Sequence, residues 1–129
     1  MVKPMRNRIR GFTLIELLVV MAIIASLLSI ATPRYFESIR RSEEATLKQN
    51  LATTREAIDK YYADSGRYPD KLDDLVTKRY LRALPFDPIV GSTNDWVVAP
   101  PQDLELGRVY DLHSAAEGNG RDGTPYNTW

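Results

Sequence analysis

The chain has 129 residues and no cysteine, which excludes disulfides, thiolate metal sites and a cysteine nucleophile. Its 17 basic and 17 acidic residues cancel, yet Lys3, Arg6, Arg8 and Arg10 crowd the first eleven positions. The remainder therefore carries four more acids than bases, a balance that gives nucleic-acid binding no support. Beyond the first 32 positions roughly 95 residues remain, enough for one small domain and too few for two.

The basic leader, residues 1–11, runs into Gly11-Phe12-Thr13-Leu14-Ile15-Glu16-Leu17 and then an apolar stretch to Ala31. About 20 apolar residues suffice for a helix to cross a bilayer, so residues 12–32 are expected to form a transmembrane or assembly helix. Glu16 is the one ionisable side chain between Phe12 and Thr32. Charge inside such a segment costs roughly 2.5–3.5 kcal/mol on insertion scales, so Glu16 needs a partner. Three readings fit the segment. It could be a secretory signal with Leu17–Leu28 as its apolar region and Ser29-Ile30-Ala31 as a cleavage site, releasing a periplasmic binding module that starts at Thr32. It could be a plain anchor with its basic end held in the cytoplasm. In the third reading the chain is cut between Gly11 and Phe12, which creates an α-amino group four residues from Glu16.

Past Ala31, the residues Tyr35, Ile39, Leu47, Leu51, Ile58, Tyr61 and Tyr62 recur at helical spacing, and the helix is predicted to run from Phe12 to about Asp64. At 1.5 Å per residue that is roughly 80 Å, more than so small a domain covers, so its first half is expected to pack against copies of itself. Pro33 falls inside it and predicts a kink. Arg40, Arg41, Glu43, Glu44, Lys48, Arg55, Glu56, Asp59 and Lys60 interleave on the other face and read as a solvated stripe with i,i+4 pairs.

Ser65-Gly66 ends the helix; Leu72, Leu75 and Val76 predict a short helix packing back on it. Leu84-Pro85-Phe86-Asp87-Pro88 reads as an irregular turn. Strands are expected at Asp95–Ala99 and Val109–His113, separated by Pro100-Pro101. The tail from Ala115 is turn chemistry rich in Gly, Asn and Asp. His113 reads as a surface or core histidine, and Asp73-Asp74 as polar turn residues that point about 100° apart. With no glycine-rich phosphate loop, metal-spaced histidine pair or nucleophile elbow, an enzyme has no residues to rest on.

The string Gly11-Phe12-Thr13-Leu14-Ile15-Glu16-Leu17 closely resembles the processing site of type IV pilins and type II secretion pseudopilins. The pieces Tyr68-Pro69, Leu84-Pro85-x-Asp87-Pro88 and Tyr110-Asp111-Leu112-x-Ser114 make the second half similar to the major, G-type pseudopilin. The resemblance implies an α+β pilin-like fold: a long N-terminal helix with a small antiparallel sheet and an ordered C-terminal loop, residues 33–129 forming the periplasmic domain. It implies a prepilin peptidase that cuts between Gly11 and Phe12 and methylates Phe12. It also implies that Glu16 meets the N-terminus of a neighbouring subunit and that the helix can unwind near Pro33, although the family's upstream glycine is here replaced by Ala25.

The expected role is a homo-oligomeric filament subunit of a type II secretion pseudopilus. Its partners would be minor pseudopilins, an inner-membrane assembly platform with its ATPase, an outer-membrane secretin and membrane lipid. The location would be the bacterial inner membrane, single-pass, with the N-terminus cytoplasmic. A type IV pilus subunit is the alternative. In this family the loop after the last strand binds calcium, a hard cation wanting six to eight oxygens; here that implies Glu117, Asn119 and Asp122 as the side-chain ligands. As bare residues, Glu117–Thr124 read as turn chemistry.

Overall fold

A computed structural model describes residues 2–6 and 9–129. Arg8 of the basic leader, along with Met1, lies outside the described residues. The chain divides into two compact units, the first ending at Ser38 and the second running from Ile39 to Trp129.

The first unit is helical from Leu14, where helix α1 (Leu14–Ser65) begins. Thr13 caps it, its hydroxyl accepting the N–H of Glu16 at 3.2 Å. This Thr-x-x-Glu spacing satisfies one of the orphan donors of the first turn. Three hydroxyls in the apolar stretch fold back on the helix: Ser26 donates to the Ala22 carbonyl at 2.8 Å, Ser29 to Ala25 at 2.8 Å and Thr32 to Leu28 at 2.7 Å. They are thereby satisfied without water, as an apolar surround requires. Pro33 lies within α1, which continues through it. Having no N–H, it leaves the Ser29 carbonyl without its helical donor.

The second unit has its core on the later part of α1. Glu44, Leu47, Leu51, Thr54, Ala57 and Ile58 are buried there. Four of the gaps, from Glu44 through Leu47, Leu51 and Thr54 to Ile58, run three, four, three, four, which is the seam a helix turns towards a partner surface. Onto it pack Leu75, Trp96, Val109, Leu112, Ala116 and Tyr126. Tyr35 and Tyr62, expected in the same stripe, are instead 65% and 38% exposed. The solvated face also needs correction: Glu44 is only 8% exposed and Arg55 is half-buried. Lys60 and Glu56 do form the expected i,i+4 pair at 3.3 Å.

Gly66 ends α1 in the left-handed region, φ 71°, which a residue without Cβ adopts readily. Helix α2 (Leu72–Thr77) follows, its start tied by the Asp74 carboxylate, which accepts from the N–H groups of Asp70 and Lys71 at 3.1 and 3.2 Å. Asp74 is thus a capping residue rather than half of an acid/base pair. Strands β1 (Val97–Ala99) and β2 (Asp111–His113) pair antiparallel with Val98 opposite Leu112. Each is shorter than the sequence suggests: β1 lacks Asp95 and Trp96 at the end away from the connection, and β2 lacks Val109 and Tyr110, where Pro100-Pro101 and a 3-10 turn at Leu104–Leu106 pull the connection away from the ladder. That connection folds onto the end of α1 instead: the Tyr68 N–H donates to the Leu106 carbonyl at 2.6 Å, and the Val109 N–H to the Pro69 carbonyl at 2.9 Å.

Gly107 makes this approach possible. Its φ is 127°, and a Cβ there would sit 2.2 Å from the Tyr68 carbonyl oxygen. Gly66 also has positive φ, but a Cβ on it would meet nothing within 4 Å. Gly107→Ala should therefore cost about 2–4 kcal/mol and Gly66→Ala about 1 kcal/mol, measured by thermal unfolding of the full chain in detergent. Equal effects would contradict the close approach at Gly107.

Candidate assembly segment and C-terminal clasp

Two regions hold the functional candidates, and each is described in its own unit. In the first, Gly11 and Phe12 lie in the exposed stretch just before α1; Phe12 is 91% exposed and a Cβ on Gly11 would meet nothing within 4 Å. Glu16 falls in the first helical turn, where the helix dipole favours an acid. No cation among the described residues is placed against its carboxylate. The helix is long and apolar enough to cross a membrane, and none of its most apolar eighteen-residue window is buried. Leu14, Ile15, Leu18, Leu27 and Ile30 are each between 62% and 78% exposed. A surface of that kind is covered by lipid or by other apolar helices, never by water alone.

In the second unit, the chain after β2 is fastened to α1 by side chains one helix face supplies. Glu44 Oε1 accepts from the Arg121 N–H and from the Tyr126 hydroxyl, both at 2.9 Å. One turn on, the Lys48 ammonium sits 4.5 Å from the centre of the Trp129 ring, within cation–π range. Further along, Arg55 Nε donates to Asp111 Oδ1 at 2.7 Å, while its Nη2 donates to the carbonyls of Leu112 and Trp129 at 2.9 and 2.6 Å. This planar fork, which lysine could not reproduce, ties α1, β2 and the tail at one point. His113 adds a contact from its Nδ1 to the Trp129 carbonyl at 2.8 Å, a structural role. The motif pieces Asp87 and Ser114 also meet: the Ser114 hydroxyl donates to Asp87 Oδ2, and Asp87 Oδ1 accepts the N–H groups of Ile89 and Val90 at 2.9 and 3.2 Å. Asp87 is 3% exposed and Ser114 fully buried, so the pair pins the proline-rich turn to the end of β2.

Of the three residues expected at a cation, Asn119 pairs with Pro125 in an isolated bridge. Asp122 Oδ1 accepts both the N–H and the hydroxyl of Thr124, at 3.0 and 2.6 Å, and Glu117 is exposed. Those two bonds hold the Asp122 carboxyl below the usual carboxylate range. Among the described residues no three carboxylate, histidine or cysteine side chains converge where a metal could be held. Glu44 and Arg55 were the residues missed from the sequence. The signal for Glu44 was present in the three-four spacing that runs back from Leu47, whereas Arg55 gave none, since its acceptors are mostly main-chain carbonyls.

Burial, then the bond to Glu44, pushes the Tyr126 hydroxyl above the ordinary tyrosine value of 10.0. Burial raises Tyr68 as well, and its bond to Asp64 raises Tyr80. A raised native pKa means stability that is complete below 10.0 and lost as pH climbs through the native value. The full chain should therefore lose melting temperature progressively above pH 10.0, and Tyr126→Phe should show a shallower decline. Identical slopes for the two proteins would contradict the Tyr126–Glu44 bond.

Residues 6–32 match the family known as the prokaryotic N-terminal methylation motif. The type II secretion system core protein G of Klebsiella michiganensis is 29% identical over 136 residues, covering 93% of this chain and 89% of that protein. The core protein G of Escherichia coli K12 is 30% identical over 122 residues, covering 82% and 80%. The type IV major fimbrial protein FimA of Dichelobacter nodosus is 34% identical over 115 residues, covering 88% and 70%. No solved structure matches.

Proposed function

The chain belongs to the family of type IV pilins and type II secretion pseudopilins, and from that membership we propose that it is a structural subunit of a type II secretion pseudopilus, of the core protein G kind. The observation that carries this reading is the extent of the likeness to core protein G, which spans 93% of this chain and 89% of the Klebsiella relative rather than the N-terminal motif alone. The lack of a phosphate loop or nucleophile elbow in the sequence suits a structural role, with the energy for movement supplied by the ATPase of the assembly platform.

In this reading a prepilin peptidase cuts between Gly11 and Phe12 and methylates the new amine. The exposure of both residues ahead of α1 supports access to that bond. The apolar part of α1 anchors the subunit in the inner membrane, basic end in the cytoplasm, domain in the periplasm. Glu16 then pairs with the Phe12 amine of a neighbouring subunit, a contact that sets the axial register as helices gather into a bundle. Ion pairs of this kind specify register better than they add stability. The contact is head-to-tail and does not close, so repeated addition gives a helical filament. Loss of the Ser29 hydrogen bond at Pro33 makes that turn the place where α1 bends or unwinds. Growth of the filament beneath an outer-membrane secretin, with minor pseudopilins at its tip, would push folded exoproteins outward. A type IV pilus subunit is the second reading, favoured by the 34% identity to the Dichelobacter fimbrial protein.

Deleting the gene should block exoprotein release while leaving surface fibres in place. Complementation with Glu16→Ala should give a processed, membrane-inserted protein that restores release at least about tenfold less well, because removing one partner of a desolvated pair costs about 3–5 kcal/mol. Full secretion from Glu16→Ala would remove the pairing mechanism. Loss of fibres with secretion intact would move the chain to the pilus.

A further inference from the structure

Donors, not acceptors, point at Glu44, where the C-terminal loop meets α1. A cation joins two segments by drawing lone pairs from both of them. Here the Arg121 N–H and the Tyr126 O–H converge from the loop side on a single oxygen, Glu44 Oε1, at 2.9 Å each. The polarity of the joint is thus the reverse of a metal site: the loop offers hydrogens, and the helix supplies the negative charge.

The surroundings agree with that polarity. Glu44 is 8% exposed, a depth at which a carboxylate is kept only with strong donors around it. Arg40, one turn earlier on α1, acts on the Tyr126 hydroxyl through its positive charge. Within the loop, Asp122 Oδ1 already holds two donors from Thr124, and Lys48 adds its charge nearby. The Thr124 hydroxyl in turn accepts the indole N–H of Trp129 at 2.7 Å. Gly120 completes the packing, since a Cβ there would lie 2.2 Å from the Trp129 ring. A dication entering this cluster would displace bonds already made and would face Lys48.

We propose that the Glu44 carboxylate closes the C-terminal loop onto α1 in the place of a metal ion, so that this domain folds and melts independently of calcium. Glu44 lies at a core-facing position of the three-four seam, so the closure is built into the same helix face that organises the domain. This inference is independent of which filament the subunit serves.

The test uses the full chain in detergent, with melting followed in excess calcium and in excess EGTA, and with amide hydrogen exchange read at Arg121. The same melting temperature within about 1 °C in both conditions is expected, with the Arg121 amide equally protected. Glu44→Ala should lower the melting temperature by about 4–8 °C and release the Arg121 amide to fast exchange, while Glu44→Gln, which keeps an acceptor oxygen, should fall between. A rise of several degrees with calcium, or unchanged Arg121 protection in Glu44→Ala, would overturn the proposal. Should Glu44→Ala fail to fold, Tyr126→Phe decides: a smaller melting loss without calcium rescue supports the clasp, and no loss, or rescue by calcium, refutes it.

Discussion

The rest of the molecule depends on an apolar helical segment that its own chain leaves uncovered. From Leu14 to Ile30 the large side chains stand between 45% and 78% exposed. Each costs about 1.5–3 kcal/mol in water relative to burial, so the segment is stable only in lipid or against other apolar helices. A carboxylate within it is tolerable at the first turn, where Thr13 caps the helix and the dipole favours an acid, yet that environment is too mild to replace a counter-ion inside a membrane. Under the proposed function one arrangement would meet both demands: a bilayer while the subunit is single, and a bundle of copies with an amine beside each Glu16 once it is assembled.

The domain beyond Ser38 is organised by the later part of the same helix. Two strands of three residues cannot stand alone, and here they do not have to. Leu47, Leu51 and Ile58 supply the apolar floor, while Glu44, Lys48 and Arg55 reach out to the tail and to β2. The helix therefore does the work that a larger sheet or a disulfide would do in a chain with more strands or any cysteine. Asp87 and Ser114 perform the corresponding service at the opposite end of the sheet, joining a turn and a strand end separated by 27 residues.

What the sequence made legible follows from which forces are local. The long helix, its stop at Ser65-Gly66, the short α2 and the two strand positions all rest on periodicity and turn residues, and each is present. Strand β2 came out shorter because the Pro69 carbonyl captures the Val109 N–H, a contact between residues far apart that no local pattern announces. Charge misled in the same way. Glu44 and Arg55 look like members of a solvated face because charged residues usually are, and only their distant partners, Arg121, Tyr126, Asp111 and Trp129, draw them inward. Pro33 and Glu16 were legible as anomalies in an apolar helix, and under the proposed function what they do depends on a second subunit.

The central claim is that the apolar helix begins at a new N-terminus made for assembly, and the most direct measurement is the N-terminal residue and intact mass of the protein purified from its own membranes. The account predicts a chain beginning at Phe12 with a methyl group on its amine. A chain beginning at Thr32 would contradict it, because both the anchoring segment and Glu16 would then be absent from the working protein.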